Sequence, residues 1–181
     1  MEKAVQLANK AVGYTSPNPS VGALIVKDGR VIGEGFTLPP GQHHAEIVAL
    51  RQAGTQAKGS ELYTTLEPCC NFGRTPPCTT AIIEAGIKTV YVATIDPNPN
   101  VSGKGCETLR DAGISVIMLE ASGVTELYEG FAKYILQGIP SITAKYAMSL
   151  DGKIAPASGD SQWIDRKSTR LNYSHSEISD A

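Results

Sequence analysis

Uninterrupted apolar stretches are missing from this chain of 181 residues. A helix that crosses a bilayer needs roughly 20 consecutive apolar residues, so no membrane span is expected. The first residues, Met1-Glu2-Lys3, lack the basic start and apolar run of a signal peptide. An excess of one charge is missing too: 16 Lys and Arg face 18 Asp and Glu, for a formal net charge of -2. Without a dense Lys/Arg cluster, a nucleic-acid partner is not expected and small-molecule chemistry is the better default. Cysteine is scarce, with 4 in the chain, and Cys69, Cys70 and Cys78 share one loop. The expectation is a soluble, cytoplasmic protein whose thiols stay reduced. In that setting the cluster reads as metal binding rather than as disulfides. What is present suffices for one ordinary domain with a little left over, because 41% of the residues are apolar.

Hydrophobic spacing orders the elements. Val5, Leu7, Ala8, Ala11 and Val12 recur at helical spacing over 2–13, and Gly13 ends them. Ser16-Pro17-Asn18-Pro19 predicts a loop, because two prolines cannot continue a helix. Val21 to Val26 and Val31 to Phe36 predict a hairpin around Asp28-Gly29. A helix is expected from His44 to Ala53 and a strand from Leu62 to Leu66. The long loop Glu67 to Pro77 then leads to a helix ended by Gly86. Strands over Val90 to Ile95 and Ile114 to Leu119 alternate with helices over Gly105 to Ala112 and Thr125 to Leu136. An opening hairpin followed by such alternation predicts a three-layer α/β/α domain with a mixed sheet, over 1–138. Residues 139–165 restart with strand-like residues and a hairpin pattern at Leu150-Asp151-Gly152-Lys153-Ile154. Residues 166–181 are polar and aperiodic and are expected to be disordered.

His44, Cys69 and Cys78 together form a plausible zinc ligand set. Three protein ligands leave the fourth tetrahedral position for water, which marks a catalytic rather than a structural zinc. Glu46, two residues beyond His44, is placed to take a proton from that water. His-x-Glu followed by Pro-Cys and a second Cys is the pattern of zinc deaminases. Two substitutes stay open at this point, His43 for His44 and Cys70 for Cys69. Cys106 and His175 read as an inert thiol and a tail residue.

Four stretches carry a closer resemblance: Pro17-Asn18-Pro19-Ser20-Val21-Gly22, His44-Ala45-Glu46, Thr65-Leu66-Glu67-Pro68-Cys69 running to Gly73-Arg74-Thr75-Pro76-Pro77-Cys78, and Asp96-Pro97-Asn98-Pro99 running to Gly103-Lys104-Gly105. Over 1 to about 137 the chain resembles the deaminase half of the bacterial bifunctional riboflavin biosynthesis deaminase/reductases, whose fold is cytidine deaminase-like. Eight residues separate Cys69 from Cys78, whereas cytidine and tRNA-adenosine deaminases place two between those cysteines. The resemblance implies one Zn2+ per chain and hydrolysis of the 2-amino group of a diaminopyrimidinone carrying a ribosylamino phosphate. Asn18 then matches the pyrimidine contact, and Arg74, Asp96 and Asn98 match ribose and phosphate contacts. Each of Asn18, Asp96 and Asn98 also has a plainer reading as a turn former.

One departure from the family pattern stands beside the first zinc cysteine. Cys70-Asn71 occupies the place where the family commonly has Ser-His. Asn71, in the substrate-binding set by that match, donates a hydrogen bond but adds no charge. Residues 143–154 and 158–164 resemble the start of the family's reductase domain, whereas from about Arg166 the chain departs from the family pattern, so 166–181 is expected to be a tail foreign to it. Ala147 and Trp163 match contacts to NADPH in the reductase domain, and Ser161 a substrate contact. Reductase activity is expected to be absent from this chain, and relatives imply a homo-oligomer. Two other functions remain open: deamination of another base, nucleoside or tRNA, and a non-catalytic zinc-stabilised module.

Overall fold

The computed structural model describes residues 1–73, 76–145, 148–154 and 157–158. It divides into two units, Met1–Ser141 and Ile142–Ala181. In the first, α1 (Glu2–Ala11) precedes the hairpin of β1 (Gly22–Lys27) and β2 (Arg30–Phe36). Then follow α2 (Ala45–Ala53), β3 (Glu61–Thr64), α3 (Cys78–Glu84), β4 (Thr89–Val92), α4 (Lys104–Asp111), β5 (Ser115–Met118) and α5 (Val124–Gln137). The sheet order is β2-β1-β3-β4-β5. β1 runs antiparallel to both β2 and β3, while β3, β4 and β5 are parallel. The mixed sheet expected from the opening hairpin and later alternation is what forms.

Strand pairing decides which helix covers which face. Gly22 pairs with Phe36 and Ala23 with Gly35, so Gly22 and Gly35 face opposite sides of the sheet. A Cβ on Gly22 would lie 1.9 Å from Ala4 O in α1. A Cβ on Gly35 would lie 2.1 Å from Ala45 O in α2. The two helices therefore sit on opposite faces, each so close that only glycine fits beneath it. α3 packs beside α2, and α4 beside α3, which completes one outer layer. α5 lies on the α1 side, where the Tyr128 hydroxyl meets Thr65 Oγ1 at 2.6 Å.

Burial follows the pleat. Ile25, Leu62, Val90 and Val92 point into the α2–α3–α4 side and are fully covered. On the other face Tyr63 and Tyr91 stack with centroids 4.5 Å apart, and both remain half-buried. The edge strand β5 keeps Ile117 and Met118 exposed. Burial of the central apolar side chains, each contributing about 1.5–3 kcal/mol, anchors the framework that carries the site.

Most element boundaries shift by one to three residues from the sequence expectation, and β3 spans Glu61–Thr64 in place of the expected Leu62 to Leu66. α1 stops at Ala11, because Val12 already has extended backbone with φ -57 and ψ 129. β4 ends at Val92, and the chain over 93–95 bends so that Thr94 O accepts the Glu67 N–H at 2.9 Å. That bend carries the following loop over the site. In the second unit, the hairpin pattern at 150–154 makes its turn but no strand among the described residues. Ser149 N donates to Lys153 O at 2.9 Å, and Gly152 takes φ +79. Among the described residues no third strand or helix packs on this turn to stabilise a ladder. The expected disorder over 166–181 lies outside the described residues.

Candidate active site

Three loops and two helix starts converge at the strand ends of β1, β3 and β4. His44 immediately precedes α2 with extended backbone, φ -71 and ψ 161. That conformation turns the imidazole back across the helix start, and Glu46 follows inside the first turn, buried. Cys69 lies in the loop after β3 and Cys78 is the first residue of α3. The loop closes on itself, because Cys69 O accepts the Thr79 N–H at 3.2 Å and Cys69 Sγ accepts the Cys78 N–H at 3.3 Å.

The resulting cluster has the dimensions of a metal site. His44 Nδ1 is 3.6 Å from Cys69 Sγ and 3.3 Å from Cys78 Sγ. The three ligand atoms lie within 4.8 Å of one another, and they form the one such group of His, Cys, Asp or Glu among the described residues. Tetrahedral zinc with ordinary Zn–N and Zn–S bonds separates nitrogen from sulfur by about 3.6 Å. One imidazole and two thiolates are also donors that zinc prefers. The residues present fit zinc. His43 and Cys70 do not join the group: the Cys70 sulfur instead faces Asn71 Oδ1 at 3.7 Å. All four cysteines are free thiols.

The electrostatics are those of a shared proton network. Cys78 pushes the Cys69 thiol down to about 4 by hydrogen bonding, and His44 adds to the effect. Cys78 moves up in turn, through the same hydrogen bond and through burial. His44 is raised chiefly by its bond to Cys69. Glu46 is pushed up to about 7, first by burial and then by the charge of Cys69, while His44 pulls the other way. A carboxyl poised near neutrality can take and return a proton at working pH.

A cleft opens over this cluster. An inner cavity of about 90 Å³ is lined by Asn18, Thr37, His44, Glu46, Glu67, Cys69 and Asp96 among others. An outer one of about 320 Å³ adds Gln42, Asn71 and Gly73 and shares Asn18, His44 and Cys69 with the first. Asn18, Asn71 and Asp96 thus line the cleft with the ligand cluster. Burial raises the Asp96 carboxyl, and its Oδ1 accepts the Asn98 N–H at 2.8 Å. Asn98 does not line either cavity; its Oδ1 accepts the Asn100 N–H at 3.0 Å, which is the turn-forming role. Arg74, Ala147, Ser161 and Trp163 lie outside the described residues. A larger cavity of about 470 Å³, between Thr94–Pro97 and α5, holds none of the cluster residues.

Sequence reasoning missed Thr37, Gln42 and above all Glu67. Its carboxylate is buried beside the first cysteine and holds three backbone N–H groups. The available signal was a charged residue set between Leu66 and Pro68, both almost fully buried. Such a carboxylate must find partners.

Known proteins share this framework. The profile of the cytidine and deoxycytidylate deaminase zinc-binding region matches residues 1–94, and that of the RibD C-terminal domain matches 140–178. Riboflavin biosynthesis protein RibD of Aquifex aeolicus is 55% identical over 171 residues, covering 94% of this chain and 48% of the relative. RibD of Escherichia coli is 48% identical, with 94% and 47% covered. The crystal structure of a diaminohydroxyphosphoribosylaminopyrimidine deaminase/5-amino-6-(5-phosphoribosylamino)uracil reductase from Thermotoga maritima superposes with a TM-score of 0.85 at 49% identity, over 94% of this chain and 49% of that one. The chain spans about half the length of the curated relatives it matches. By a zinc-ligand cluster on a cytidine deaminase-like sheet, and by identity that runs through both matched regions, this chain belongs to the RibD family of riboflavin biosynthesis proteins.

Proposed function

We propose that the chain is a zinc-dependent pyrimidine deaminase of riboflavin biosynthesis. Its substrate is the diaminopyrimidinone ribosylamino phosphate, and its product is the corresponding aminouracil. The observation that carries this is the buried Glu46 carboxyl 3.6 Å from the Cys78 sulfur, on the wall of a cleft shared with His44 and Cys69. A purely structural zinc site has no use for a buried acid there, and it closes with a fourth ligand.

Zinc, held by His44, Cys69 and Cys78, supplies Lewis acidity that makes water a nucleophile near neutral pH. The chain's own residues do the rest. Glu46 accepts a proton from the attacking water as its oxygen bonds to the ring carbon that bears the amino group. Glu46 passes that proton to the adjacent ring nitrogen, then takes the proton of the new hydroxyl and delivers it to the departing nitrogen, so that ammonia leaves as the ring carbonyl forms. Its burial beside the ligand cluster keeps bulk water from competing for these transfers. Asn18 hydrogen-bonds the pyrimidine, and a ring without matching groups leaves that amide unpaired, which gives selectivity. Asp96, Asn71 and Arg74 hold the ribosyl phosphate, with Arg74 suited to a phosphate by its forked donors. Asn98 supports that loop.

Residues 139–165 are read as the start of a reductase domain, in which Ala147 and Trp163 match NADPH contacts and Ser161 a substrate contact. No helix among the described residues is long and apolar enough to cross a membrane. The charge balance supports an enzyme without nucleic-acid partners, and a cytoplasmic setting is part of the same proposal. Exposed Ile117 and Met118 on β5 and Leu136 on α5 support a homo-oligomer.

The test is ammonia release from the diaminopyrimidinone ribosyl phosphate by zinc-loaded protein, with metal content measured alongside. Turnover that disappears on chelation and returns with zinc is expected. Full zinc loading without ammonia release would overturn the reading.

A further inference from the structure

We propose that Glu67 is a positioning residue that locks the loop bearing Asp96 onto the chain segment bearing Cys69. The inference rests on the deaminase reading of the cleft and extends it to a residue outside the reacting groups. Glu67 is 3% exposed, and among the described residues no Lys, Arg or His pairs with it. Its partners are backbone amides. Oε2 accepts the Asp96 N–H at 3.1 Å and the Gly103 N–H at 2.8 Å, and Oε1 accepts the Cys106 N–H at 3.0 Å. The three donors bracket the loop from its entry after β4 to the first turn of α4. Gly103 and Cys106 would otherwise present unsatisfied N–H groups at the helix start, where a carboxylate is favoured.

The clamp is tight on both sides. A Cβ on Gly105 would lie 2.0 Å from Pro68 O and 3.1 Å from Glu67 Oε1, so α4 begins in contact with the residue preceding Cys69. Three consecutive residues thus divide the work: Glu67 holds the loop, Pro68 packs against α4, and Cys69 faces His44. The distance from Asp96 to the metal cluster is set through this short, buried segment. Of the groups at the cluster, His44 and Glu46 come from the start of α2 and Cys78 from α3, outside the clamp; Cys69 alone shares the segment of Glu67, and its sulfur is also held by the Cys78 N–H at 3.3 Å. Loosening the clamp should therefore weaken contacts made equally in ground and transition states, which raises KM with little change in kcat.

The choice of side chain follows from its donor count. An ionised carboxylate offers only acceptors, which three N–H groups require. Glu67→Gln keeps one oxygen and turns an NH2 toward an N–H donor; Glu67→Ala removes all three acceptors. The expected order of substrate affinity is wild type, then Gln, then Ala.

The experiment measures zinc content, kcat and KM for ammonia release, and amide hydrogen exchange at Gly103 and Cys106, in the full chain and both variants. In Glu67→Gln zinc should stay at one per chain, KM should rise roughly 10-fold, kcat should change less than about threefold, and both amides should exchange faster. Unchanged KM with faster exchange would leave Glu67 a mere helix cap and overturn the proposal. So would zinc loss that tracks the loss of activity, or unchanged exchange. Wild-type protein that holds zinc but releases no ammonia would overturn the deaminase reading instead, and exchange in Glu67→Gln would still judge the clamp.

Discussion

Glu46 Oε2 stands 3.6 Å from Cys78 Sγ, although the two lie 32 positions apart in the chain. α2 brings the acid and α3 brings the thiol, and the sheet beneath fixes both. The carboxyl is therefore beside the ligand cluster but is not one of the three grouped ligands.

That separation predicts a clean division between metal and catalysis. Glu46→Gln preserves shape and leaves the cluster atoms in place, so zinc content should stay at wild-type level. Proton transfer should fail, with kcat falling roughly 10²–10⁴-fold. Metal analysis and ammonia release on the same preparation check it. A variant with near-normal turnover would remove Glu46 from the mechanism.

The same carboxyl should leave a mark on stability in zinc-free protein. Glu46 holds its proton up to about pH 7 in the folded chain, against 4.5 for the ordinary group. Between those values the folded state binds more protons than the unfolded one, so this group's contribution falls as pH rises. Cys69, lowered from 9.0 to about 4, works in the opposite direction across the whole of that window. The difference between Glu46→Gln and wild type isolates the carboxyl. The variant should gain relative stability from pH 4.5 to 7, by up to about 3 kcal/mol. Urea unfolding of metal-stripped proteins at several pH values measures the gain. A difference independent of pH would show that burial of this carboxyl carries no cost.

Cysteine substitutions should sort ligands from bystanders. Cys78→Ser and Cys69→Ser each replace a soft thiolate by a poor zinc ligand, and zinc content should drop well below one per chain. Cys70→Ser should keep its zinc, because the Cys70 sulfur faces Asn71 rather than His44. Metal stoichiometry after dialysis decides between them.

Much of this site could be read from the sequence because its ligands come in short local patterns. His44 and Glu46 share one helix start, and Cys69 and Cys78 bracket one Pro-rich loop. The sheet was legible for a similar reason: the β1–β2 hairpin and the later alternation of helices and strands are local periodicities. What stayed hidden depends on tertiary approach. Nothing around Glu67 in sequence announces that Gly103 and Cys106 will donate to it, since those partners lie 36 and 39 positions away. Asn18 and Asn98 show the other limit. Both sit in Pro-flanked turns, yet Asn18 lines the cleft and Asn98 closes its own loop. Composition alone cannot separate those outcomes.

Glycines under α2 give a prediction about how the site is supported. A Cβ on Gly35 would lie 2.1 Å from Ala45 O and 2.8 Å from Ala49 N, both backbone atoms. Gly35→Ala must push the start of α2 off the sheet, and that start carries His44 and Glu46. Overpacking of this kind costs about 1–3 kcal/mol or more. Lower thermal stability should be joined by weaker zinc retention. Gly29→Ala serves as a control of a different type, since its φ is +74 and open space surrounds it. It should cost stability through backbone strain but leave zinc retention intact.

Asn71 offers a test of where the phosphate binds. It lines the outer cleft, and its Nδ2 donates to Asn100 O at 3.0 Å, bridging two loops. The family pattern that the sequence resembles has histidine at this place, where the chain has asparagine. Asn71→His can keep a ring N–H for that bridge while adding a charge that the amide lacks. If the phosphate lies here, KM should fall by roughly three- to tenfold, because hydrogen bonds to charged groups are the stronger ones. The gain should be larger near pH 6 than near pH 8, since imidazole loses its charge across that interval. Added salt should shrink it by screening. Values of KM that ignore the substitution at both pH values would place the phosphate elsewhere in the cleft.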